Sequence, residues 1–112
     1  MTTHEVPVSE PWFSLIKLGH KTREGRINKT KSASINIGDF VLFTNNELGV
    51  FRKFTVEIKN IVYYDDFQTY LENETLEKCL PCIDTIEDGL KVYYKYYTKY
   101  EEYEYGIKAF IF

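Results

Sequence analysis

Gly19-His20-Lys21-Thr22-Arg23-Glu24-Gly25-Arg26 sits where a helix gives way to a strand. Before it, Trp12, Leu15 and Ile16 recur at helical spacing behind Ser9, a candidate cap, and Pro11, whose missing N–H costs little in a first turn. Gly19 can close that helix. From Lys21 to Ile27 the sequence alternates in residue type rather than in hydrophobicity, so a strand here directs Thr22, Glu24 and Arg26 to one face. Lys21, at the corner that Gly19 permits, can swing to the same mouth. Four polar or charged groups then converge, with a carboxylate kept ionised between two cations. An ion-pair ladder on a sheet edge has the same pattern and contributes little when exposed.

The flanking segments predict further strands. His4 to Val8 alternates weakly, and Ile37-Gly38-Asp39 reads as a turn feeding the apolar run Phe40 to Phe43, bounded by Thr44-Asn45-Asn46. Such a run predicts a strand buried on both faces. Phe54, Val56 and Ile58 mark one face of a long strand whose apolar phase resumes at Ile61 and Tyr63, a one-residue slip that a bulge near Lys59 or Asn60 would explain. Long bulged strands bend, as small barrels require. Asn28 to Ser34 is a polar loop. After Asp66 the pattern turns helical: Phe67, Tyr70 and Leu71 in one short helix, then Leu76, Cys79 and Leu80 in a second, capped by Thr75 and stopped by Pro81. A longer third helix starts at Asp84, with Glu87 at capping-box spacing, and carries Ile86, Leu90, Tyr93, Tyr94 and Tyr97. Tyr105, Ile107, Ala109 and Ile111 alternate in a closing strand. Strands early, helices inserted and one strand last predict an α+β fold, a small β-barrel with helices packed on it.

The 112 residues suit a single domain, 1–112, with room for one core. The formal net charge of −3 hides an asymmetry: residues 1–59 hold nine Lys or Arg against six acids, and residues 60–112 hold five against eleven. An acidic total argues against binding duplex nucleic acid by bulk charge. A local basic stripe, Lys17, Lys21, Arg23, Arg26, Lys29 and Lys31 with His20 among them, could still contact phosphates, or could guard an edge strand. Two cysteines and no signal-peptide pattern predict a reducing, cytoplasmic setting, and no apolar stretch approaches the roughly 18 residues of a membrane span.

No glycine-rich phosphate loop, serine elbow or helical histidine pair is present, so no cofactor is expected. Cys79-Leu80-Pro81-Cys82 has redox or zinc half-site spacing without a second half, which favours two small apolar side chains. His4 and His20 have no local partner. The Tyr-rich tract from Tyr93 to Tyr105 could stack bases through one or two rings, although its acids, Glu101, Glu102 and Glu104, would repel phosphate.

The pattern Gly19-x-Lys21-x-x-Glu24-x-Arg26 resembles the signature of the ASCH domain family. The helix before it, the Ile37-Gly38-Asp39 turn with its strand ending at Asn45, and the closing Tyr105-Gly106-Ile107-x-Ala109 strand extend the resemblance over nearly the whole chain. It implies a PUA-like barrel and a cleft that binds single-stranded RNA or a modified nucleoside. Lys21 and Arg26 would then contact phosphate or carbonyl oxygens, Glu24 would accept from an exocyclic amine, and Thr22 or Asn45 would add neutral hydrogen bonds. Some members are amidohydrolases that deacetylate acetylated cytidine nucleosides. Lys21 matches their catalytic lysine, but Glu24 occupies the position of the threonine nucleophile, and a carboxylate there would sooner pair than attack. Asp84 and Glu87 lie near the region expected for a second acid. If the chain is an enzyme, Lys21 and Glu24 are its catalytic candidates. A third reading, a protein-interaction domain, uses the acidic, Tyr-rich C-terminal half.

Overall fold

The computed structural model describes residues 1–112, with six strands in two three-stranded sheets and helices set against them. The apolar run predicted as a buried strand is β3 (Phe40–Asn45), central in the first sheet between β1 (Thr3–Pro7) and β4 (Arg52–Glu57). β1 runs parallel to β3, pairing Val6 with Phe43, and β4 runs antiparallel, pairing Phe43 with Phe54. In the second sheet the closing strand β6 (Ile107–Ile111) is central, with β2 (Arg23–Ile27) and β5 (Asn60–Tyr64) antiparallel on its flanks.

The one-residue slip near Lys59 is not a bulge within one strand. It is the point at which the chain leaves one sheet for the other: Ile58 N–H donates to the Asp39 carbonyl at 2.9 Å, and Lys59 N–H donates to the Ile111 carbonyl at 2.8 Å. Each neighbour thus hydrogen-bonds to a different sheet, so the apolar phase changes without a bulged ladder. The strands form two separate ladders and not a closed ring. The sheets nevertheless share a core, in which Val6, Val41 and Phe43 of the first meet Phe110 of the second around Ile58, and the rings of Phe43 and Phe112 lie 5.7 Å apart.

A second core joins β2 and β6 to the helices. In α3 (Phe67–Glu74) the Asp66 carboxylate caps Thr69 N–H at 2.7 Å, and Phe67, Tyr70 and Leu71 are buried. α4 (Leu76–Cys79) follows without a side-chain cap from Thr75. In α5 (Ile86–Tyr94) the cap is Thr85, one residue after the expected Asp84, and the helix ends before Tyr97. The remainder of the Tyr-rich tract forms a separate helix, α6 (Lys99–Tyr105), started by a capping box between Thr98 and Glu101. The polar loop holds one turn of helix, α2 (Lys31–Ser34).

The first helix, α1 (Trp12–Lys17), is held differently from expectation. Glu10, not Ser9, supplies the side chain, accepting Ser14 N–H at 2.9 Å and Ser14 O–H at 2.6 Å. Gly19 closes it at φ +82°, a conformation that glycine adopts without steric cost. That turn delivers Lys21 to the edge of β2.

Candidate functional site

A cleft of about 680 Å3, within the size range of small-ligand sites, opens between the ends of β1 and β3 on one side and α5 with its following turn on the other. β2 forms its floor. Strand alternation sends Glu24 and Arg26 into the cleft and Gly25 the other way, against Tyr70. Lys21 enters from the corner, with only 1% of its surface exposed.

The floor is a three-membered ion cluster. Lys21 Nζ lies 3.2 Å from Glu24 Oε1, and Arg26 Nη2 lies 3.2 Å from Glu24 Oε2. Burial raises the Glu24 pKa, but Lys21 and Arg26 outweigh it and hold the carboxyl below its usual range. Both oxygens are engaged with cations. Lys21 is engaged too: Nζ also donates to the Arg23 carbonyl at 2.6 Å and to the Cys79 carbonyl, so its three N–H bonds have three acceptors. It is a brace between the start of β2 and the end of α4. Arg26 differs. Burial opposes its charge and Glu24 more than restores it, while Nε and Nη2 go to Glu24 and Nη2 makes a long 3.4 Å contact with the Pro7 carbonyl. The rest of the guanidinium faces Tyr97 and the cleft.

Aromatic side chains complete the walls. Trp12, Phe51, Tyr93, Tyr96 and Tyr97 line the cleft, with Ser9 Oγ 3.5 Å from Tyr96 OH. Burial raises the Tyr97 pKa against the opposing pull of Arg26, and burial followed by the Glu24 charge raises that of Tyr93, so both hydroxyls remain protonated donors.

The sequence candidates separate on this geometry. Lys21, Glu24, Arg26 and Asn45 line the cleft, and Thr22 does not. Thr22 precedes β2, pairs its backbone with Lys78 and Phe112, and accepts Arg23 Nη1 on its hydroxyl at 3.2 Å. Asn45 is committed to the protein: Nδ2 donates to the Val8 carbonyl at 2.9 Å, and Oδ1 accepts Glu47 N–H at 3.0 Å and Arg52 Nη2 at 2.8 Å. The basic stripe dissolves in the same way. Arg23 pairs with Glu74 and Lys29 with Glu101, Lys31 reaches the Glu5 carbonyl, and His20 is exposed outside the cleft. Asp84 and Glu87 do not line the cleft either.

Elsewhere, His4 hydrogen-bonds Asp39 at 2.9 Å. No group of three or more His, Cys, Asp or Glu side chains is placed to hold a metal. Cys79 is buried, its thiol pushed up to about 11 mainly by burial, and Cys82 is exposed. Of the three C-terminal acids, Glu102 is buried, accepting Phe67 N–H at 2.8 Å and the Tyr94 hydroxyl, and Glu101 pairs with Lys29. Only Glu104 remains on an open face. Sequence reasoning missed Trp12 and Phe51 as wall residues, whereas Tyr96 belongs to the Tyr-rich tract expected to offer one or two stacking rings. Nothing in local periodicity marks Trp12 or Phe51 for the cleft, because separate segments bring them together with Tyr96.

The family model of the ASCH domain matches residues 6–111. The chain belongs to the ASCH domain family. Among solved structures it is similar to the hypothetical protein PH0355, with 33% identity, coverage of 99% of this chain and 96% of that one, and a TM-score of 0.86. It is also similar to the protein PF0455 from Pyrococcus furiosus, with 36% identity, coverage of 97% and 94%, and a TM-score of 0.78. No curated protein matches significantly. No helix is long and apolar enough to cross a membrane.

Proposed function

We propose that this ASCH domain is a cytoplasmic binding module, its residues 1–112 forming one PUA-like unit, whose cleft takes a nucleotide or a base of single-stranded RNA. The supporting observation is the placement of Arg26. Glu24 fixes one edge of its guanidinium and leaves the rest facing a cleft walled by Trp12, Phe51, Tyr93, Tyr96 and Tyr97. A planar cation beside aromatic walls suits a flat, electron-rich or anionic ligand: the rings stack on a base and the guanidinium donates to phosphate or carbonyl oxygen. Glu24 orients Arg26 through Oε2, and Oε1, which accepts only from Lys21, keeps a lone pair for an exocyclic amine. Lys21 Nζ already faces three acceptors within the protein, so amide hydrolysis with Lys21 as base finds no support in its hydrogen bonding.

The test is a panel of nucleosides, acetylated cytidine, ribonucleoside monophosphates and short single-stranded RNA, read by thermal shift and by product chromatography. A stabilising shift without product is expected, abolished in Arg26→Gln. Release of acetate that depends on Lys21 would replace this reading with an amidohydrolase. Silence in both channels would contradict both readings and leave a protein-interaction domain.

A further inference from the structure

β4 is an outer strand with one open edge. Within its sheet it pairs only with β3, in an unbroken register from Arg52 opposite Asn45 to Glu57 opposite Phe40. Ile58 N–H donates to the Asp39 carbonyl at 2.9 Å, so antiparallel alternation turns the backbone groups of Arg52, Phe54 and Val56 toward β3 and those of Lys53, Thr55 and Glu57 away from it. No other backbone segment hydrogen-bonds to those three residues from the open side. The outer strand at the far side of the sheet, β1, differs: Lys31 reaches across to its Glu5 carbonyl.

An open strand edge is a template for another strand, and chains blunt it with proline, a bulge or repelling charges. β4 has no proline and no bulge in its ladder, and its outward-facing residues carry one charge of each sign with a threonine between them. Lys53, Thr55 and Glu57 are all exposed, and neither charge has an ion-pair partner in the chain. Four residues of extended strand hold Lys53 and Glu57 about 13 Å apart, beyond each other's reach. A two-fold axis at Thr55 removes that separation. Antiparallel pairing with β4 of a second copy sets Lys53 opposite the partner's Glu57, Glu57 opposite the partner's Lys53, and Thr55 opposite the partner's Thr55, all on one face. Opposite charges and paired threonines are favourable cross-strand neighbours. The same register lets each outward N–H and C=O meet its counterpart. Parallel pairing in register would set Lys53 against Lys53, and a slide of two residues would part the opposite charges.

We infer that the chain self-associates through β4, two copies meeting about a two-fold axis at Thr55 so that their three-stranded sheets join into one continuous sheet. Lys53, Thr55 and Glu57 do not line the cleft, so the joint leaves both clefts open and is independent of what they bind. A joint one strand long lies at the small end of specific interfaces, so the dimer is weak and forms as concentration rises.

The experiment is sedimentation equilibrium of the full chain, with amide hydrogen exchange measured at the lowest and highest concentrations. The wild-type mass is expected to climb from one chain toward two between about 10 μM and about 1 mM. The amides of Lys53, Thr55 and Glu57 are expected to exchange about fivefold more slowly at the upper end. Lys53→Glu and Glu57→Lys each set like charges opposite one another and are expected to stay monomeric. The double variant Lys53→Glu/Glu57→Lys restores opposite charges with their signs exchanged and is expected to dimerise as the wild type does. A wild-type mass of one chain throughout overturns the proposal. Dimerisation that survives in both single variants moves the joint to another face and overturns it as well. Failure of the double variant to recover contradicts the register at Thr55, and growth past two chains contradicts a closed pair.

Discussion

Gly25 lies so close to the ring of Tyr70 that a Cβ on it would stand 2.6 Å from Tyr70 Cε2. The absence of a side chain lets α3 press directly on β2, and the opposite face of that strand carries Glu24 and Arg26 into the cleft. The packing of one face therefore sets the geometry of the other. Gly25→Ala is expected to destabilise the fold by about 1–3 kcal/mol through overpacking, measured as a lower urea midpoint with an unchanged slope. A midpoint equal to that of the wild-type chain would show that Tyr70 moves aside freely.

Lys21 braces β2 against α4 and neutralises a buried carboxylate. Lys21→Met keeps most of the side-chain volume and removes the charge, leaving Glu24 with Arg26 alone and two carbonyls without their donor. A loss of about 3–5 kcal/mol is expected, the scale for breaking one side of a buried ion pair. Chemical denaturation measures it, and a change below 1 kcal/mol would mean that Lys21 is not a brace.

Acid should weaken the fold through Asp39. Its hydrogen bond from His4, followed by the backbone N–H groups of Asn36 and Thr2, holds its carboxyl at about 2 against an ordinary 3.8. A depressed carboxyl stabilises the fold above its unfolded pKa, and that contribution drains away as pH falls from 3.8 toward 2. The urea midpoint is thus expected to fall across this window in the wild-type chain and to fall less steeply in Asp39→Asn. Identical slopes would remove Asp39 from the acid response.

The two cysteines should react unequally. Cys82 is exposed, whereas Cys79 is buried with its thiol pushed up to about 11, chiefly by burial. Iodoacetamide at neutral pH is expected to alkylate Cys82 alone in the folded chain and both residues in denaturant, as read by mass spectrometry. Labelling of Cys79 under native conditions would contradict its placement.

The fold was legible in the sequence wherever one local pattern carried one element. The apolar run at Phe40 became a strand, though Phe40 and Leu42 are half-buried and not covered on both faces, the Gly38 turn formed as its pattern predicts, and the closing strand begins at Ile107, with its expected first residue, Tyr105, ending α6 instead. The break between β4 and β5 was visible as a phase slip, but a bulge and a change of sheet produce the same slip, and the hydrogen bonds of Ile58 and Lys59 decide between them. The long Tyr-bearing helix failed for a related reason: Tyr93, Tyr94 and Tyr97 keep helical spacing across the end of α5, and the capping box at Thr98 starts a new helix. At the site, the motif located Lys21, Glu24 and Arg26, whereas their division of labour depended on partners remote in sequence. The Cys79 carbonyl lies 58 residues from Lys21, and no local pattern shows that Lys21 is saturated.

The central claim is that Arg26 and the aromatic wall form a ligand site. It is tested most directly by two-dimensional NMR of the 15N-labelled chain titrated with ribonucleoside monophosphates, because the single tryptophan, Trp12, gives one indole resonance inside the cleft. The account predicts saturable shifts of the Trp12 indole and of Arg26 Nε, lost in Arg26→Gln. Shifts confined to the surface of Tyr63, Tyr103 and Tyr105, with Trp12 and Arg26 unmoved, would contradict it.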